Sequence, residues 1–398
     1  MSTDNGNQFW VSKLNAPSRI GPSAARKGPV RFYDTTLRDG EQTVGVALDP
    51  QQKLEIARLL DSLGISRIEA GFPRVSADDA EAFGLVCKAG LPAEIWGFAR
   101  AVQEDLDAVI RLGARASVIE IPSSEIKLRA YGITAEESIR RAVEAVTHAK
   151  QHGLKVAFFP VDGTRAELPH LEKLYRAAIE AGADEAVVVD TIGACGPEAV
   201  EFLVAKVRAW LGDSIPIHFH GHNDFGLATA CAVAAVRAGA SWIQGTINGM
   251  GERAGNADIG EVAMALEGVY GVHTELKLDK IREVSRHVRR ASGYELEPWK
   301  PVVGENLFMR ESGAVASQFH IPEAIEPFSA EIVRARREIV LGKKSGLDSI
   351  AIKTRELGLE VSESQRPKVL AAVKQKGVEK RGLLTDDEFR ALVKEVCK

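Results

Sequence analysis

The segment His220-Gly221-His222 carries two histidines with one residue between them, on an extended segment at the end of a predicted β-strand. Residues i and i+2 of a strand point to the same side, so both imidazoles can bind one divalent ion. A carboxylate must complete such a site while other positions stay open to substrate oxygens. Taken alone, this spacing favours a metal site and two buried structural histidines about equally.

A second segment, Asp34-Thr35-Thr36-Leu37-Arg38-Asp39-Gly40-Glu41-Gln42, follows another predicted strand and contains the best candidate for that carboxylate, Asp39. Arg38 beside it is suited to stabilising an oxyanion that develops during a reaction. A surface ion pair is the alternative for Arg38. Asp34 and Thr35 are also consistent with the capping of a turn.

The elements that position these groups repeat eight times between residues 30 and 272, each repeat being an apolar run, a polar turn and an amphipathic stretch. The apolar runs are too short for helices and suit buried parallel strands. They are residues 30–36, 67–71, 93–98, 117–121, 155–160, 185–190, 215–219 and 241–246. Eight such units predict an α/β fold of the TIM (β/α)8 barrel type, because a doubly wound open sheet more often has five or six strands.

Apolar residues at helical spacing predict helices between these strands. The clearest stretches are residues 51–63, 138–152, 171–181, 198–211, 227–238 and 258–269. Glycines that follow helical stretches indicate left-handed positions where helices end, and they are Gly64, Gly113, Gly153, Gly182 and Gly239.

Charged and polar residues cluster where the predicted strands end, which is the edge where TIM barrels form their active sites. They include Asp39, Glu69, Arg100, Glu120, Asp162, Arg165, Asp190, Thr191, His220, His222, Asp224 and Asn248. Odd-numbered strands share side-chain layers, so Asp39 and the two histidines are expected to meet in a Lewis-acidic metal centre. The glycine-rich segment 248–256 after strand eight is either a phosphate-binding loop or a plain turn.

Length and composition fit one large and one small globular domain. The 398 residues are 45% hydrophobic and 27% charged, and the net charge of −4 comes without a strongly basic stretch, so no nucleic-acid partner is expected. The four cysteines form no C-x-x-C pair, and the sequence contains neither a signal peptide nor an apolar run of about 20 residues. We therefore expect a reduced, cytoplasmic protein without a membrane span.

Three regions are predicted along the chain. Residues 1–28 form a polar, flexible arm in which Phe9 and Trp10 are candidates for docking on a partner subunit. Residues 29–272 form the catalytic barrel. Residues 273–398 form a mostly helical lid and dimerisation region, with helices at 278–292, 346–357, 364–375 and 385–394 and a cleft-crossing linker at 294–320.

Three motifs, at residues 32–42, 220–226 and 248–256, resemble in order and position those of the DRE-TIM metallolyase superfamily, within its isopropylmalate and homocitrate synthase branch. Residues 342–346, with the sequence GKKSG, resemble the lid region of the same branch. The resemblance implies condensation of acetyl-CoA with a 2-oxo acid, a divalent metal (Mg, Mn, Zn or Co) and a homodimer.

The resemblance also implies roles for individual residues. The implied metal ligands are Asp39, His220 and His222, with Asn256 as a further ligand. Arg38 and Gln42 are implied to face the substrate, and Thr191 to hold the carboxylate of the 2-oxo acid. We add Arg100 and Arg165, at the ends of strands three and five, as predicted substrate-binding residues.

The chain departs from the branch in its barrel and in its lid. Val161 occupies the position of a Glu in the strand-five motif S-x-E-D-x-x-R, and His218 stands where Ser or Glu is common. The lid motif F-x-H-x-x-G-I-H has lost both histidines, with Arg310 and Val315 in their place.

The lost histidine is associated with deprotonation of acetyl-CoA, so Glu311, His320 or His218 is expected to substitute as the base. Arg310 adds a fixed cation that would favour a more anionic substrate.

These observations favour a metal-dependent condensing enzyme that uses acetyl-CoA and an atypical 2-oxo acid. The main alternative is an aldolase or lyase on the same scaffold that acts on a 2-oxo or hydroxy acid without CoA, since such an enzyme needs neither lid histidine. A catalytically silent paralogue is the least favoured hypothesis, because Arg38, Asp39, His220 and His222 are all present.

Overall fold

Eight parallel strands close into a barrel in chain order, and the last strand pairs with the first. The computed structural model describes residues 8–16 and 29–398. The strands are β1 (Arg31–Asp34), β2 (Arg67–Glu69), β3 (Glu94–Arg100), β4 (Ala116–Pro122), β5 (Lys155–Val161), β6 (Glu185–Asp190), β7 (Ile217–Gly221) and β8 (Trp242–Gly245). The predicted (β/α)8 barrel is confirmed.

Helices follow the strands around the barrel. They are α1 (Pro50–Leu63), α2 (Ala77–Lys88), α3 (Gln103–Arg111), α4 (Glu125–Tyr131), α5 (Ala135–Gln151), α6 (Leu168–Glu180), α7 (Pro197–Leu211), α8 (Ala228–Arg237), α9 (Ile259–Met264) and α10 (Ile281–Ser292). Local sequence explains their ends: α1 begins at a capping box between Asp49 and Gln52 and ends at Gly64, whose φ of 96° suits a residue without a side chain.

The helix predictions differ from the structure in two ways. The stretch predicted as one helix over 258–269 is the short α9 followed by a π-helical turn at Ala265–Val269. Helices α2, α3 and α4 were not among the predicted stretches, although Ser76 and Ser124 cap the first turns of α2 and α4.

Alternate residues of strands β3 to β6 fill much of the barrel interior. The buried interior cluster contains Trp96 and Phe98 of β3, Ala116 and Val118 of β4, Ala157, Phe159 and Val161 of β5, and Val187 and Val189 of β6. Because side chains alternate along a strand, this pattern also tells which residues near the strand ends face the interior.

The end of the barrel opposite the strand C-termini is closed by a buried ionic network. Arg67 of β2 donates two hydrogen bonds to Glu185 of β6 (2.6 and 2.9 Å), and its guanidinium lies 3.6 Å from the ring of Trp242 and 4.7 Å from that of Trp96. His218 Nε2 lies 2.5 Å from Glu185 Oε2. His218, one of the three residues expected to substitute as the base, is instead bound to Glu185 one layer below the metal pair.

This network predicts a stability effect. Glu185→Gln removes the buried carboxylate that faces the guanidinium of Arg67 and leaves it only the partly exposed Glu94, so we expect the free energy of unfolding to fall by about 3–5 kcal/mol. Urea denaturation followed by circular dichroism measures the change. Glu172→Gln, which breaks an exposed pair with Arg176 on α6, is the matched control and should change stability by less than about 1 kcal/mol. Equal effects of the two variants would contradict the structural role of the network.

The chain divides into two compact units, Ser12–Leu296 and Met1–Val11 with Glu297–Lys398. The predicted barrel boundary at residue 272 is therefore too early. Helix α10 belongs to the barrel unit because it packs against α1, and because Asn248 Nδ2 donates to the carbonyl of Ser285 (3.1 Å).

The second unit is mostly helical, as predicted. It contains two short parallel strands, β9 (Met309–Arg310) and β10 (Glu338–Ile339), and the helices α11 (Gly313–Ala316), α12 (Leu347–Glu356), α13 (Arg366–Lys380) and α14 (Asp386–Val396). Its core is formed by Ala316, Ile339, Leu341, Ile350, Val369, Val373, Leu384, Phe389 and Val393.

The described part of the N-terminal segment is packed rather than free. Phe9 forms a β-bridge with Phe328, with their ring centroids 6.3 Å apart, and Trp10 N donates to the carbonyl of Pro327 (2.7 Å). The predicted docking of Phe9 and Trp10 on a partner is thus replaced by contacts within their own chain. Residues 1–7 and 17–28 of the predicted flexible arm lie outside the described residues.

Among residues 8–16 and 29–398, no helix combines the length and the apolar character that crossing a membrane requires. Cys87, Cys195, Cys231 and Cys397 are free thiols.

Candidate metal centre and active site

Asp39, His220 and His222 meet at the C-terminal mouth of the barrel, and all three are buried. Asp39 Oδ2 lies 3.3 Å from His220 Nε2 and 3.7 Å from His222 Nε2, and the two imidazole nitrogens are 3.4 Å apart. Ligand atoms that surround one ion at about 2.0–2.2 Å lie about 3–3.5 Å from one another. Two of the three separations lie in this range and the third, 3.7 Å, is slightly longer, so the three side chains are close enough to share one divalent ion.

Buried polar atoms without hydrogen-bond partners support this assignment. In the part of the chain that the structure describes, such atoms include Asp39 Oδ1 and Oδ2, His220 Nδ1, His222 Nδ1 and Asn256 Oδ1. Buried polar groups are normally paired, so a cluster of unpaired donor and acceptor atoms at one point indicates a missing partner. Two imidazoles, a carboxylate and an amide oxygen are a suitable donor set for a divalent metal.

Asn256 is held beside the histidines by the glycine-rich segment that follows β8. It forms a β-bridge with His222, and its Nδ2 donates to the carbonyl of Met250 (3.0 Å), which leaves Oδ1 unpaired. A Cβ atom at Gly251 would lie only 2.1 Å from Asn256 Nδ2, and Gly251 has a φ of 156°. The loop's shape thus serves to place Asn256, and this favours a turn over a phosphate cradle.

Local electrostatics keep the ligands in their metal-binding protonation states. Burial opposes the charge on Asp39, but Arg38 and the two histidines outweigh it and hold the pKa of this carboxyl well below its usual range. Burial lowers the pKa of His222 to about 4, although Asp39 acts in the opposite direction. At neutral pH the site therefore offers a carboxylate and a neutral imidazole.

Arg38 is fixed between the metal centre and the second strand. Its Nε donates to Glu69 Oε1 (2.5 Å), its Nη1 lies 3.3 Å from Asp39 Oδ2, and its guanidinium lies 4.3 Å from the ring centre of Phe98. Within the described residues its buried Nη2 has no hydrogen-bond partner. This group is a fixed cationic donor whose Nη2 amino group is unpaired beside the candidate metal site.

Asp34 has a structural role in the loop after β1. Its carboxylate accepts hydrogen bonds from the backbone N–H and the hydroxyl of Thr36 (both 2.8 Å), and the Thr36 hydroxyl accepts one from Ile247 N (2.9 Å). Burial raises the pKa of Asp34 to about 7 even though the bonds from Thr36 oppose it. The turn-capping interpretation of Asp34 agrees with this geometry.

The predicted substrate-binding residues of the barrel differ in how free their side chains are. Gln42 is exposed. The Arg100 and Arg165 guanidiniums are already bound, to Asp105 and Asp162 respectively, with two hydrogen bonds each of 2.7–3.1 Å.

Thr191 lies just past the end of β6. Its hydroxyl oxygen accepts a hydrogen bond from Asp162 N (2.8 Å), which leaves its O–H available as a donor. Among the polar residues at this mouth, Thr191 therefore has the chemistry for binding a carboxylate that its predicted role requires.

The remaining predicted residues belong to the other unit. Glu311 accepts a hydrogen bond from Lys344 N (3.0 Å) and pairs with the ammonium of the same lysine (2.9 Å). His320 is exposed. Arg310 donates to the backbone carbonyls of residues 307, 309 and 325. These hydrogen bonds use guanidinium N–H groups of Arg310 that the predicted contact with an anionic substrate would need.

Glu69 and Glu120 are predicted from the sequence to lie at strand ends, but no role is predicted for either. Glu69 is the group that orients Arg38, which its place at the end of the adjacent strand could have indicated. Glu120 lies at the mouth on β4, and burial raises its pKa to about 7 while Arg38, Arg100 and Lys127 act to lower it. A partly buried carboxylate with a raised pKa at a barrel mouth is a functional-site candidate.

The closed barrel, with two histidines and an aspartate at its C-terminal mouth, defines a (β/α)8 protein with a candidate metal site. Residues 29–288 match the model of the family described as HMGL-like. The chain belongs to this family, which confirms the resemblance noted in the sequence.

Curated relatives match nearly the whole chain. It is 44% identical to homocitrate synthase AksA of Methanopyrus kandleri over 371 residues, covering 93% of each chain. It is 41% identical to 2-isopropylmalate synthase of Methanocaldococcus jannaschii, covering 97% of this chain and 73% of that one. It is 40% identical to (R)-citramalate synthase CimA of the same organism, covering 92% of this chain and 74% of that one.

Solved structures agree with the barrel. The HMG-CoA lyase of Bacillus subtilis superimposes with a TM-score of 0.62 at 20% sequence identity, covering 68% of this chain and 96% of that one. The HMG-CoA lyase of Brucella melitensis gives a TM-score of 0.60 at 21% identity, covering 67% of this chain and all of that one. At this level of identity the similarity shows the fold alone.

Proposed function

We propose that this protein condenses acetyl-CoA with a 2-oxo acid in a reaction that depends on a divalent metal. The observation that carries the proposal is the buried Asp39, His220 and His222 cluster beside the fixed guanidinium of Arg38. Relatives named as homocitrate, 2-isopropylmalate and (R)-citramalate synthases, at 40–44% identity over most of the chain, support the same reaction class.

Each group at the barrel mouth has a chemical role in this reaction. Asp39, His220, His222 and Asn256 would hold the ion, which when bound supplies Lewis-acid stabilisation to the keto oxygen. Arg38 directs its free Nη2 donor at the oxygen on which negative charge develops. Thr191 donates its hydroxyl to the substrate carboxylate and thereby orients the acceptor.

We infer that the acceptor differs from those of the usual synthases, because the wall formed by β5 is apolar at the mouth. Phe159 and Val161 are both buried and face the interior there. The side chain of the 2-oxo acid would lie against this surface, so a panel of acceptors should include small alkyl, aromatic and dicarboxylic 2-oxo acids.

One assay tests the proposed function. The metal-free protein is incubated with Mg²⁺ or Mn²⁺, acetyl-CoA and the panel of 2-oxo acids, and free thiol is followed. Release of 2-oxo acids from hydroxy acids without CoA is followed in parallel.

We expect metal-dependent thiol release with at least one acceptor, and no release in the presence of EDTA. Metal-dependent release of 2-oxo acid with no thiol from any acceptor would instead show an aldolase or lyase. Neither activity with any compound would favour a catalytically silent paralogue.

We further propose that the protein is a cytoplasmic homodimer in which residues 297–398 serve as lid and dimerisation region. The free thiols of all four cysteines support a reducing compartment. Light scattering coupled to gel filtration tests the dimer, and a monomer at micromolar concentration would contradict it.

A further inference from the structure

Glu120 lies on β4, two residues before the strand ends at Pro122. Ala116 and Val118 of the same strand belong to the interior cluster of the barrel. Because side chains alternate along a strand, Glu120 faces the interior as well, one step closer to the mouth. Glu120 is thus an interior carboxylate at the height of the active site.

The neighbours of Glu120 connect it to the proposed metal centre. In the sheet, Glu120 pairs with Arg100 of β3 and with Phe159 of β5. The ring of Phe159 contacts the ring of His220, with centroids 5.1 Å apart. On the other side, the ring of Phe98 supports the guanidinium of Arg38, and the centroids of Phe98 and Phe159 are 6.4 Å apart. Glu120 therefore lies on the strand between Phe98, which contacts Arg38, and Phe159, which contacts His220.

Glu120 differs from the structural carboxylates of the same barrel. Glu69 and Glu185 are each tied to an arginine by hydrogen bonds of 2.5–2.9 Å. Over the described residues, 8–16 and 29–398, the carboxylate of Glu120 takes part in neither a hydrogen bond nor an ion pair at such distances. A partly buried carboxylate that holds no structural partner is available for chemistry.

The strand next to Glu120 offers no competing group. The interior side chains of β5 at this height are Phe159 and Val161, and Val161 pairs in register with Pro122. Glu120 and Val161 are therefore diagonal neighbours, whose Cα atoms lie about 7–8 Å apart in a sheet. The side chain of Glu120 is long enough to reach toward position 161, where a valine fills less of the barrel mouth than a glutamate would.

We propose that Glu120 is the base that removes a proton from the methyl group of acetyl-CoA. This inference rests on the proposed condensing function and deepens it, because Arg310 and Val161 stand where the resembling synthases carry a lid histidine and a strand-five glutamate. Burial raises the pKa of Glu120 to about 7 against the opposing cations of Arg38, Arg100 and Lys127, and this value suits a group that accepts and returns a proton near neutral pH.

The step balances without a further reactant. A Glu120 oxygen accepts the proton as the methyl C–H bond breaks, and the electron pair forms the new C–C bond to the keto carbon of the 2-oxo acid. The keto C=O π pair becomes an oxyanion facing Arg38, and protonated Glu120 returns the proton to this oxygen. Water then hydrolyses the thioester, so the C–S bond breaks and CoA leaves as the thiol.

The test compares Glu120→Gln with the wild-type protein in the thiol-release assay, using the acceptor with the highest activity. General base catalysis contributes about 10²–10⁴-fold, so kcat should fall by that factor while the KM of the 2-oxo acid and the affinity for Mn²⁺ change little. Glu125→Gln, an exposed carboxyl at the start of α4, is the matched control and should keep full activity. Glu120→Asp should recover part of the lost kcat.

A pH profile separates a base from a structural group. The groups that act on Glu120 from neighbouring elements are Arg38, Arg100, Asp105, Lys127 and Tyr131. With a pKa of about 7, the carboxyl is protonated and inactive as a base at lower pH, so wild-type kcat/KM should fall as the pH drops through about 7. Glu120→Gln should lose this limb of the profile.

Three results would overturn the assignment. If Glu120→Gln keeps kcat within tenfold while Glu311→Gln or His320→Ala loses it, the base lies in the C-terminal unit. If only the KM of the acceptor rises, Glu120 binds the substrate and is not the base. If the wild-type protein releases no thiol with any acceptor, the condensing function itself is wrong, which the parallel lyase assay shows directly.

Discussion

Asp39→Asn should abolish both metal binding and turnover. An amide can offer the metal only a neutral oxygen where the wild-type protein offers a carboxylate, and it removes the anion that faces His220 and His222. Loss of an outer-shell partner already costs about 10–100-fold in metal affinity, so loss of this ligand should exceed about 100-fold. We expect kcat to fall by more than about 10³-fold, beyond the effect of one lost oxyanion donor.

Calorimetric titration with Mn²⁺ and the thiol-release assay measure these two losses. The melting temperature gives a third readout, since an ion that binds only the folded state raises it in the wild-type protein and should not do so in the variant. Asp107→Asn is the matched control, because Asp107 forms an Asp–His pair with His148 (2.7 Å) away from the barrel mouth. Wild-type Mn²⁺ affinity in Asp39→Asn would refute the metal centre.

Arg38→Lys should reduce kcat/KM by about 10²–10³-fold while leaving metal affinity within a few-fold of wild type. The planar guanidinium binds Glu69 through Nε and approaches Asp39 through Nη1, while its Nη2 has no partner among the described residues. An ammonium is a single point charge and cannot make these contacts in one plane. The variant therefore keeps the positive charge but loses the directed donor.

Steady-state kinetics with the best acceptor, together with Mn²⁺ titration, separates this effect from damage to the metal site. Arg176→Lys, an exposed pair with Glu172, is the control for the same exchange and should be silent. An Arg38→Lys protein with wild-type kcat/KM would show that charge alone is sufficient and that the free Nη2 has no catalytic role.

The metal cluster could be predicted from the sequence because it depends on the spacing of residues within single strands and on the regular layers of a barrel. Alternation along one strand brings His220 and His222 to the same side, and the barrel's layering brings Asp39 to them. The pairing of Arg38 with Glu69 depends on the register between β1 and β2, which no single strand encodes. The sequence therefore predicts ligands more readily than the groups that orient them.

For His218, the orientation of the side chain could be predicted from the sequence, but its hydrogen-bond partner could not. Its spacing from His220 correctly predicts that both face the interior, but it does not say that Glu185 lies opposite and takes the ring into a separate network. Helix α10 likewise has a predictable amphipathic pattern, while its packing against α1 depends on how the whole barrel closes. Contacts between residues distant in sequence are what local patterns leave open.

The guanidinium of Arg67, packed between the rings of Trp96 and Trp242, affects the order in which substrates can bind. Because these buried side chains fill the lower end of the barrel in the described part of the chain, we expect acceptor, thioester, water and products to pass through the C-terminal mouth. A molecule as large as CoA at that opening blocks the passage of the smaller acceptor beneath it. We therefore expect an ordered mechanism, in which the 2-oxo acid binds before acetyl-CoA and the hydroxy acid product is released after CoA.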